Sequence, residues 1–397
     1  MKLTTKHLAT FADQGITSLT TMVVSTLVAS QSTAAGFGEF AVFYSILWLG
    51  MGLVRAAIGE SSFATDSDGE RGLRPNGGAI SLGLLSGLIV AAVALVVGSA
   101  MGSAIVTLGG VASVFIIGQD ISRYLCFSLN RAHLALASDS LMLATLVAIG
   151  LLLPGVGGER WMLAWGISAL LGLACVVLIV KPTFGPRSTR IWVRTHGKLS
   201  RLVALDFMIL SGAQQLIVLV IPLIASLSVL GSLKAGQVAI APLNVLLSAV
   251  SLAVLPAMYR NPSSSLKMWV AACVAIGAAS ITYVGALFLM PHGWLTIALG
   301  DSWAVGSQVV WILGLQFVPM AIAQIGGYIM RVLGFARLNI VWRCIVLPAT
   351  VFPPLFGAAI AGATGAAWGL VVGAGCSALT WALLVIAYWR TSQHNSA

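Results

Sequence analysis

The sequence predicts an all-α integral membrane protein with twelve transmembrane helices in two parallel six-helix lobes. Three observations predict this fold: the composition, the number of long apolar runs, and the distribution of lysine and arginine. Of the 397 residues, 59% are hydrophobic and only 8% are charged, and the mean hydropathy is +1.00. Because a soluble domain has about 25% charged residues, this composition excludes a water-soluble enzyme and a nucleic-acid binder, despite the net charge of +10.

Twelve apolar runs are each long enough to be a membrane-spanning helix, which needs about 20 mostly apolar residues. Helices are expected because they satisfy their own backbone hydrogen bonds in lipid. The predicted spans are 9–31, 37–58, 77–99, 103–128, 133–154, 161–180, 202–228, 236–258, 268–290, 304–330, 339–359 and 364–388.

Almost all lysine and arginine residues fall on one side of the membrane when the chain is threaded through these spans. With the N-terminus placed in the cytoplasm, 19 of the 21 basic residues fall on the cytoplasmic side, and only Arg160 and Lys234 fall outside. Cytoplasmic loops of membrane proteins carry such an excess of positive charge. We therefore expect a protein of the inner (plasma) membrane, with both termini in the cytoplasm.

The most basic stretch, residues 181–201, divides the twelve spans into two sets of six. It predicts an N-terminal lobe at 1–180, a basic cytoplasmic linker at 181–201 and a C-terminal lobe at 202–397. Weak similarities repeat in the same order in both halves, such as Gln119 in span four and Gln324 in span ten. Because six spans return the chain to its starting side, the lobes are parallel, and the substrate path is expected between them.

Ionisable residues inside the spans are the first candidates for a functional site, because a charge at membrane depth is costly. Asp13, in span one, is either a coupling-ion or cavity acid or a carboxylate bonded to a neighbouring helix. Asp120 and Arg123 are three positions apart in span four, so their side chains can meet on one helix face. They form either a structural ion pair or a cavity site in which the Arg123 fork binds an anion.

Two more arginines and two glutamines complete the candidate set. Arg55 and Arg331 lie near the cytoplasmic ends of spans two and ten, where each either snorkels to the headgroups or joins Arg123 in a cationic vestibule. Gln119 and Gln324 are either helix–helix contacts or the wall of a hydrated cavity. No catalytic residue, metal site or cofactor is predicted, apart from H⁺ or Na⁺ as a coupling ion.

The first two spans resemble a known family. The segments Phe11-Ala12-Asp13-Gln14-Gly15-Ile16 and Phe37-Gly38-Glu39-Phe40-Ala41 are similar to the polysaccharide-transporter branch of the multidrug/oligosaccharidyl-lipid/polysaccharide exporter superfamily. In that branch a polar first helix is followed by a Phe-Gly-x-Phe/Tyr start of the second. The resemblance implies a flippase that moves a polyprenyl-(pyro)phosphate-linked oligosaccharide to the outer leaflet by alternating access, for cell-surface polysaccharide synthesis. It also implies that cavity arginines, here Arg55, Arg123 and Arg331, engage the phosphates.

Two other functions remain open at this point. An ion-coupled small-molecule or multidrug antiporter of the same superfamily would share the fold and use Asp13 as its ion site. A membrane glycosyltransferase or polymerase is less favoured, because the outer loops are short and carry few acidic or basic residues. The expected partners are the lipid-linked glycan, membrane lipids and glycan-assembly enzymes, with no nucleic acid, and the chain is expected to act as a monomer.

Overall fold

The computed structural model describes residues 5–60, 77–129, 131–155, 157–260, 264–290, 292–332 and 335–394. Helices make up the regular secondary structure of these ranges, so the predicted all-α fold is confirmed. The α-helices are α1 (Thr5–Ser30), α2 (Ala34–Val54), α3 (Gly78–Met101), α4 (Ala104–Ser128), α5 (Ala132–Leu152), α6 (Gly158–Val180), α7 (Pro186–Ile224), α8 (Leu227–Ala239), α9 (Ala241–Arg260), α10 (Ser265–Leu289), α11 (His292–Leu299), α12 (Trp303–Leu315), α13 (Phe317–Val332) and α14 (Ala336–His394). A π-helical segment, Arg55–Glu60, extends α2, and a 3₁₀ turn, Gly300–Ser302, joins α11 to α12.

All twelve predicted spans fall on these helices. Eight helical stretches of the described chain are long and apolar enough to cross a membrane, or nine if the bent pair α8–α9 is one span. One of the eight, Val341–Ala387, is 47 residues long and contains spans eleven and twelve. The helices α1 and α7 contain spans one and seven, where polar residues such as Asp13 and Gln214 lower the hydropathy. The chain is therefore a multi-pass membrane protein.

Span eight begins earlier than predicted, at Leu227, and is bent. The axes of α8 and α9 meet at 52°, and Ile240 at the junction has φ of −95° and ψ of 5°. Pro242 explains the break, because it lacks a backbone N–H and its ring clashes with the carbonyl of the residue four positions earlier.

Most of the predicted linker, 181–201, is helical. Its residues from Pro186 onward form the first four turns of α7, which is 39 residues long. Pro186 is the first residue of the helix, a position where its missing N–H costs nothing. The arginines that follow favour helix over loop. The predicted domain boundaries at 180 and 202 stay a prediction.

The longest helix, α14, consists of two arms. Ala361 (φ −132°) and Gly362 (φ 58°) are non-helical and separate them. The arms pack backbone to backbone, because a Cβ atom at Gly357 would overlap the backbone of Gly365, and one at Gly365 would overlap that of Gly357. These glycines therefore set how closely spans eleven and twelve approach.

By internal contacts the chain divides into two compact units. The first consists of Met1–Ser32 and Glu39–Gln215, and the second of Thr33–Gly38 and Leu216–Ala397. In the first unit, α4 packs against α3, α5 and α6, and α1 packs against α5. In the second unit, α13 packs against α10 and α14, and α12 packs against α8 and α14. The contacts of α4 and α5 in the first unit position the candidate site.

Candidate functional site

The candidate site is a network of charged side chains buried inside the first unit. Helix α4 carries Gln119, Asp120 and Arg123, and all three side chains are buried inside this unit. Asp13 reaches them from α1 and Asp139 from α5, also buried. Arg55 reaches them from the first residue of the π-helical segment. Short π-helical segments inside helices frequently mark functional sites.

Arg123 is the centre of the network and contacts three carboxylates. Its Nη1 donates to Asp120 Oδ1 at 2.9 Å, and its Nη2 donates to Asp13 Oδ2 at 2.5 Å. Its Nε lies 3.0 Å from Asp139 Oδ2 as an ion pair, without the alignment of a hydrogen bond. The Arg123 side chain is only 4% exposed, so these contacts replace the water that a buried guanidinium would otherwise need.

Arg55 holds the other side of Asp120. Its Nε donates to Asp120 Oδ2 and its Nη2 to Asp120 Oδ1, both at 2.7 Å. This bidentate geometry is the strongest form of an arginine–carboxylate pair. Unlike Arg123, the Arg55 side chain is 21% exposed, so Arg55 is the point at which the network reaches the surface of the unit.

Neutral side chains complete the environment of Asp139. Gln119 Nε2 donates to Asp139 Oδ1 at 2.6 Å and to Ser138 Oγ at 3.2 Å. Thr17 Oγ1 lies 2.5 Å from Asp139 Oδ2 and 2.9 Å from the backbone carbonyl of Asp13, one turn earlier in α1. Asp139 is therefore bound on both oxygens.

The network holds one more negative than positive group. Asp13, Asp120 and Asp139 carry three negative charges when ionised, against two positive charges on Arg55 and Arg123. A net charge buried in a low-dielectric interior is costly. One additional proton would make the cluster neutral, so the arrangement can take up and release a proton.

Five of the seven predicted site residues lie in this network: Asp13, Arg55, Gln119, Asp120 and Arg123. The i, i+3 pairing of Asp120 with Arg123 is present. The two arginines face carboxylates, and the cationic vestibule with Arg331 stays a prediction. Gln324 lies in the second unit, where its Nε2 is 3.4 Å from Tyr328 Oη. The Arg331 side chain lies outside the described residues.

Asp139 and Thr17 belong to the network but were not among the residues predicted from the sequence. Asp139 is an acidic residue in the predicted span 133–154, so the rule that selected Asp13 would also have selected it. Thr17 had no such signal, since threonine is common in transmembrane helices. Its position one turn after Asp13 gains meaning only from the packing of α1 against α5.

Known proteins are similar to the chain in fold. No protein-family model matches the sequence, and no curated protein matches it. Among solved structures, an inward-facing multidrug resistance MATE family transporter of the MOP superfamily has a TM-score of 0.71 at 13% identity, covering 96% of this chain and 99% of that one. The lipid II flippase MurJ, in an inward closed conformation, also has a TM-score of 0.71 at 13% identity, covering 95% of this chain and 87% of that one.

An outward-facing MATE family transporter of the MOP superfamily matches with a TM-score of 0.57 at 13% identity, over 96% of this chain and 95% of that one. These proteins are transporters or flippases. Their likeness in fold extends over nearly the whole chain. The chain therefore has the fold that MATE transporters of the MOP superfamily share with the lipid II flippase MurJ.

Proposed function

We propose that the chain is a flippase that moves a polyprenyl-(pyro)phosphate-linked oligosaccharide from the inner to the outer leaflet by alternating access, in the synthesis of a cell-surface polysaccharide. The sequence resemblance of the first two spans and the fold shared with MurJ support a lipid-linked glycan as substrate. The observation that carries the proposal is the surroundings of Arg55, where a partly exposed guanidinium adjoins a row of aromatic rings.

The aromatic row lies on one face of α2, because its members are spaced four residues apart. The Arg55 guanidinium lies 5.7 Å from the centre of the Trp48 ring. Trp48 stacks on Tyr44 with ring centres 6.1 Å apart, and Tyr44 lies 5.8 Å from Phe40. Aromatic faces suit the apolar faces of sugar rings, and a guanidinium suits phosphate. Phe40 is fully buried, whereas Trp48 is 37% exposed, so Trp48 and Arg55 are the groups of this helix face that the sugar and the phosphate would contact.

In this proposal Arg55, and not Arg123, contacts the phosphate. Arg123 would have to leave three carboxylates to bind an anion, and its side chain is almost fully buried. Arg55 already uses Nε and Nη2 on Asp120, and its partly exposed guanidinium has further N–H groups. Arg123 then has a structural role, in which it connects the helical segments of the network. Arg331, in the second unit, stays a candidate for phosphate binding.

We further propose that the network couples transport to protons, with the exchangeable proton on Asp139. A threonine hydroxyl has one hydrogen, yet Thr17 Oγ1 lies within hydrogen-bond distance of two acceptors. If Asp139 Oδ2 carries a proton, it donates to Thr17 Oγ1, and Thr17 donates to the Asp13 carbonyl. The same proton removes the surplus negative charge. Na⁺ fits less well at Asp120 and Asp139, because arginine, glutamine and threonine already occupy their oxygens.

The cellular setting follows as part of the proposal. The excess of basic residues on one side favours an inner-membrane protein with both termini in the cytoplasm. The partners would be the lipid-linked glycan, membrane lipids and the enzymes that assemble the glycan, and the chain would work as a monomer.

The flippase is tested with the full-length chain reconstituted in liposomes that contain a fluorescent polyprenyl-diphosphate oligosaccharide. Arg55→Lys should lower the flipping rate about tenfold, because lysine cannot hold Asp120 and phosphate with one planar fork. Arg160→Lys is the matched control, since Arg160 also lies over a tryptophan ring, 5.1 Å from the centre of Trp161. Equal rates in the two variants, or no flipping by the unmodified chain, would contradict the proposal.

Trp48→Ala tests the sugar contact separately, because it leaves the Arg55–Asp120 pair in place. It should slow the flipping of the glycan-bearing lipid more than that of polyprenyl phosphate without a sugar. If both lipids are slowed equally, the aromatic row does not bind the glycan.

A second candidate is the ion-coupled multidrug antiporter. The observation that favours it is the charge of the network, which has no surplus positive group and would tolerate a cationic drug nearby. Ethidium movement driven by a pH gradient, measured in the same liposomes, separates the two functions. Ethidium transport without glycan flipping would favour the antiporter, and the reverse would favour the flippase.

A further inference from the structure

We propose that a cavity at the beginning of α7 binds the headgroup of an anionic phospholipid. The cavity has a volume of about 730 Å³ and lies between the first turn of α3 and the first three turns of α7. Its polar lining consists of Ser81, Thr189, Arg190 and Arg194. The site is separate from the buried network, and the proposal does not rest on the transport function proposed above.

The charge of the cavity indicates an anionic ligand. Arg190 and Arg194 are one helical turn apart and exposed. No ion pair joins either of them to a carboxylate within the part of the chain that the structure describes. Arg187 and Arg201 lie on the same helix face, at spacings that match 3.6 residues per turn. The surface is therefore a stripe of four arginines, two of which line a cavity.

The apolar neighbours indicate that the anion belongs to a lipid. Ile191, Val193 and Phe184, beside the arginines, are 51%, 46% and 49% exposed. Helices that lie at a membrane surface combine basic and apolar side chains in this way. A nucleic acid or an acidic protein would leave these apolar groups in water, whereas the acyl chains of a phospholipid would cover them.

The cavity is an open depression between two helices whose beginnings are joined by a backbone hydrogen bond. The backbone N–H of Gly77 donates to the carbonyl of Thr183 at 3.0 Å, which ties the residues before α7 to the beginning of α3. On the other side of α7, Trp192 is buried and stacks on His196, with ring centres 4.8 Å apart. A preformed basic cavity of this kind suits a phosphate-bearing headgroup.

Native mass spectrometry of the purified full-length chain tests the proposal. The probes are phosphatidylglycerol and phosphatidylcholine with the same acyl chains. The double variant Arg190→Gln/Arg194→Gln should lose phosphatidylglycerol affinity about tenfold, with phosphatidylcholine binding unchanged. The matched control, Arg187→Gln/Arg201→Gln, removes the same charge from the same stripe but not from the cavity lining, and should lose less than about threefold.

The outcomes are distinct. Equal losses in the two double variants would show that net charge and not the cavity attracts the lipid, and would overturn the proposal. An unchanged affinity in Arg190→Gln/Arg194→Gln would overturn it as well. Inorganic phosphate is the last probe. If millimolar phosphate displaces phosphatidylglycerol from the unmodified chain, the site binds free phosphate, and the lipid assignment is wrong.

Discussion

At the scale of single residues, the central feature is that Arg123 contacts an aspartate from each of three helices. Only Asp120 is close enough to Arg123 in sequence for spacing to predict the pair. Asp13 and Asp139 lie 110 and 16 positions from Arg123. Removing one partner of a buried ion pair leaves an uncompensated charge and lowers the stability by about 3–5 kcal/mol. The three aspartates should therefore differ in their response to mutation, according to which of them is ionised.

Asp139→Asn should change the stability much less than Asp13→Asn. Asparagine mimics a protonated Asp139, since its amide can donate to Thr17 and its carbonyl can accept from Gln119. We expect the free energy of unfolding of Asp139→Asn to lie within about 1 kcal/mol of that of the unmodified chain, a difference of the size of one hydrogen bond. The variant should also lose proton-coupled transport. Asp13→Asn removes a true ion pair with Arg123 and should cost about 3–5 kcal/mol. Thermal unfolding in detergent and proton flux in liposomes measure both. A larger loss of stability in Asp139→Asn would place the proton elsewhere.

Removing Arg123 should be partly repaired by removing Asp120. Arg123→Gln leaves Asp13 and Asp120 without their shared partner and should lower stability by about 3–5 kcal/mol. Adding Asp120→Asn removes one of those charges, so the two changes should couple by about 0.5–3 kcal/mol in a double-mutant cycle.

The same double variant tests the role of Arg123 in transport. Because Asp120→Asn also takes the bidentate partner from Arg55, the single variant Asp120→Asn is the reference. If Arg123 is a structural centre, the double variant should flip the glycan as fast as this single variant in a cell-surface glycan assay. Slower flipping at equal expression would return the phosphate role to Arg123.

At the scale of helices, close backbone contacts set the geometry of the second unit. Gly357→Ala should destabilise the chain by about 1–3 kcal/mol, because its Cβ would overlap the backbone of Gly365, in the other arm of α14. Gly375→Ala is the matched control in the same helix, where a Cβ meets nothing within 4 Å. This control should be stabilised by about 0.5–1 kcal/mol, because alanine is the better helix former. Thermal unfolding of the two variants should shift in opposite directions, and a shift in the same direction would contradict the close approach of the arms.

At the scale of the whole molecule, the distribution of basic residues predicts the orientation of the chain in the membrane. The test uses a variant in which alanine replaces the five cysteines, all of which are free thiols. A single cysteine is then placed at Thr195 or at Asp301, both exposed positions. A membrane-impermeant maleimide added to intact cells should label Asp301→Cys and should label Thr195→Cys only after the membrane is opened. Labelling of Thr195→Cys in intact cells would reverse the topology.

The sequence by itself determined the class of the protein and the course of its helices. Apolar runs of about 20 residues are a local property, and their only stable form in lipid is a helix. For this reason each of the twelve predicted spans is helical, and Asp13, Arg55 and Arg123 could be selected because each is a charge within such a run. The bend before Pro242 and the helical form of residues 186–201 are also local, but they depend on hydrogen bonds that a hydropathy pattern does not show.

Only the tertiary structure decided what these charges do. Asp120 and Arg123 share a helix face, so spacing could pair them. The bonds from Arg123 to Asp13 and Asp139, and from Arg55 to Asp120, join residues 110, 16 and 65 positions apart. They exist because α1 packs against α5, and α4 packs against α5 and the π-helical segment. Packing between helices is set by side-chain shape over the whole unit. It therefore made Arg123 the centre of a buried charge cluster, and it joined Arg55 to this cluster while leaving its guanidinium partly exposed.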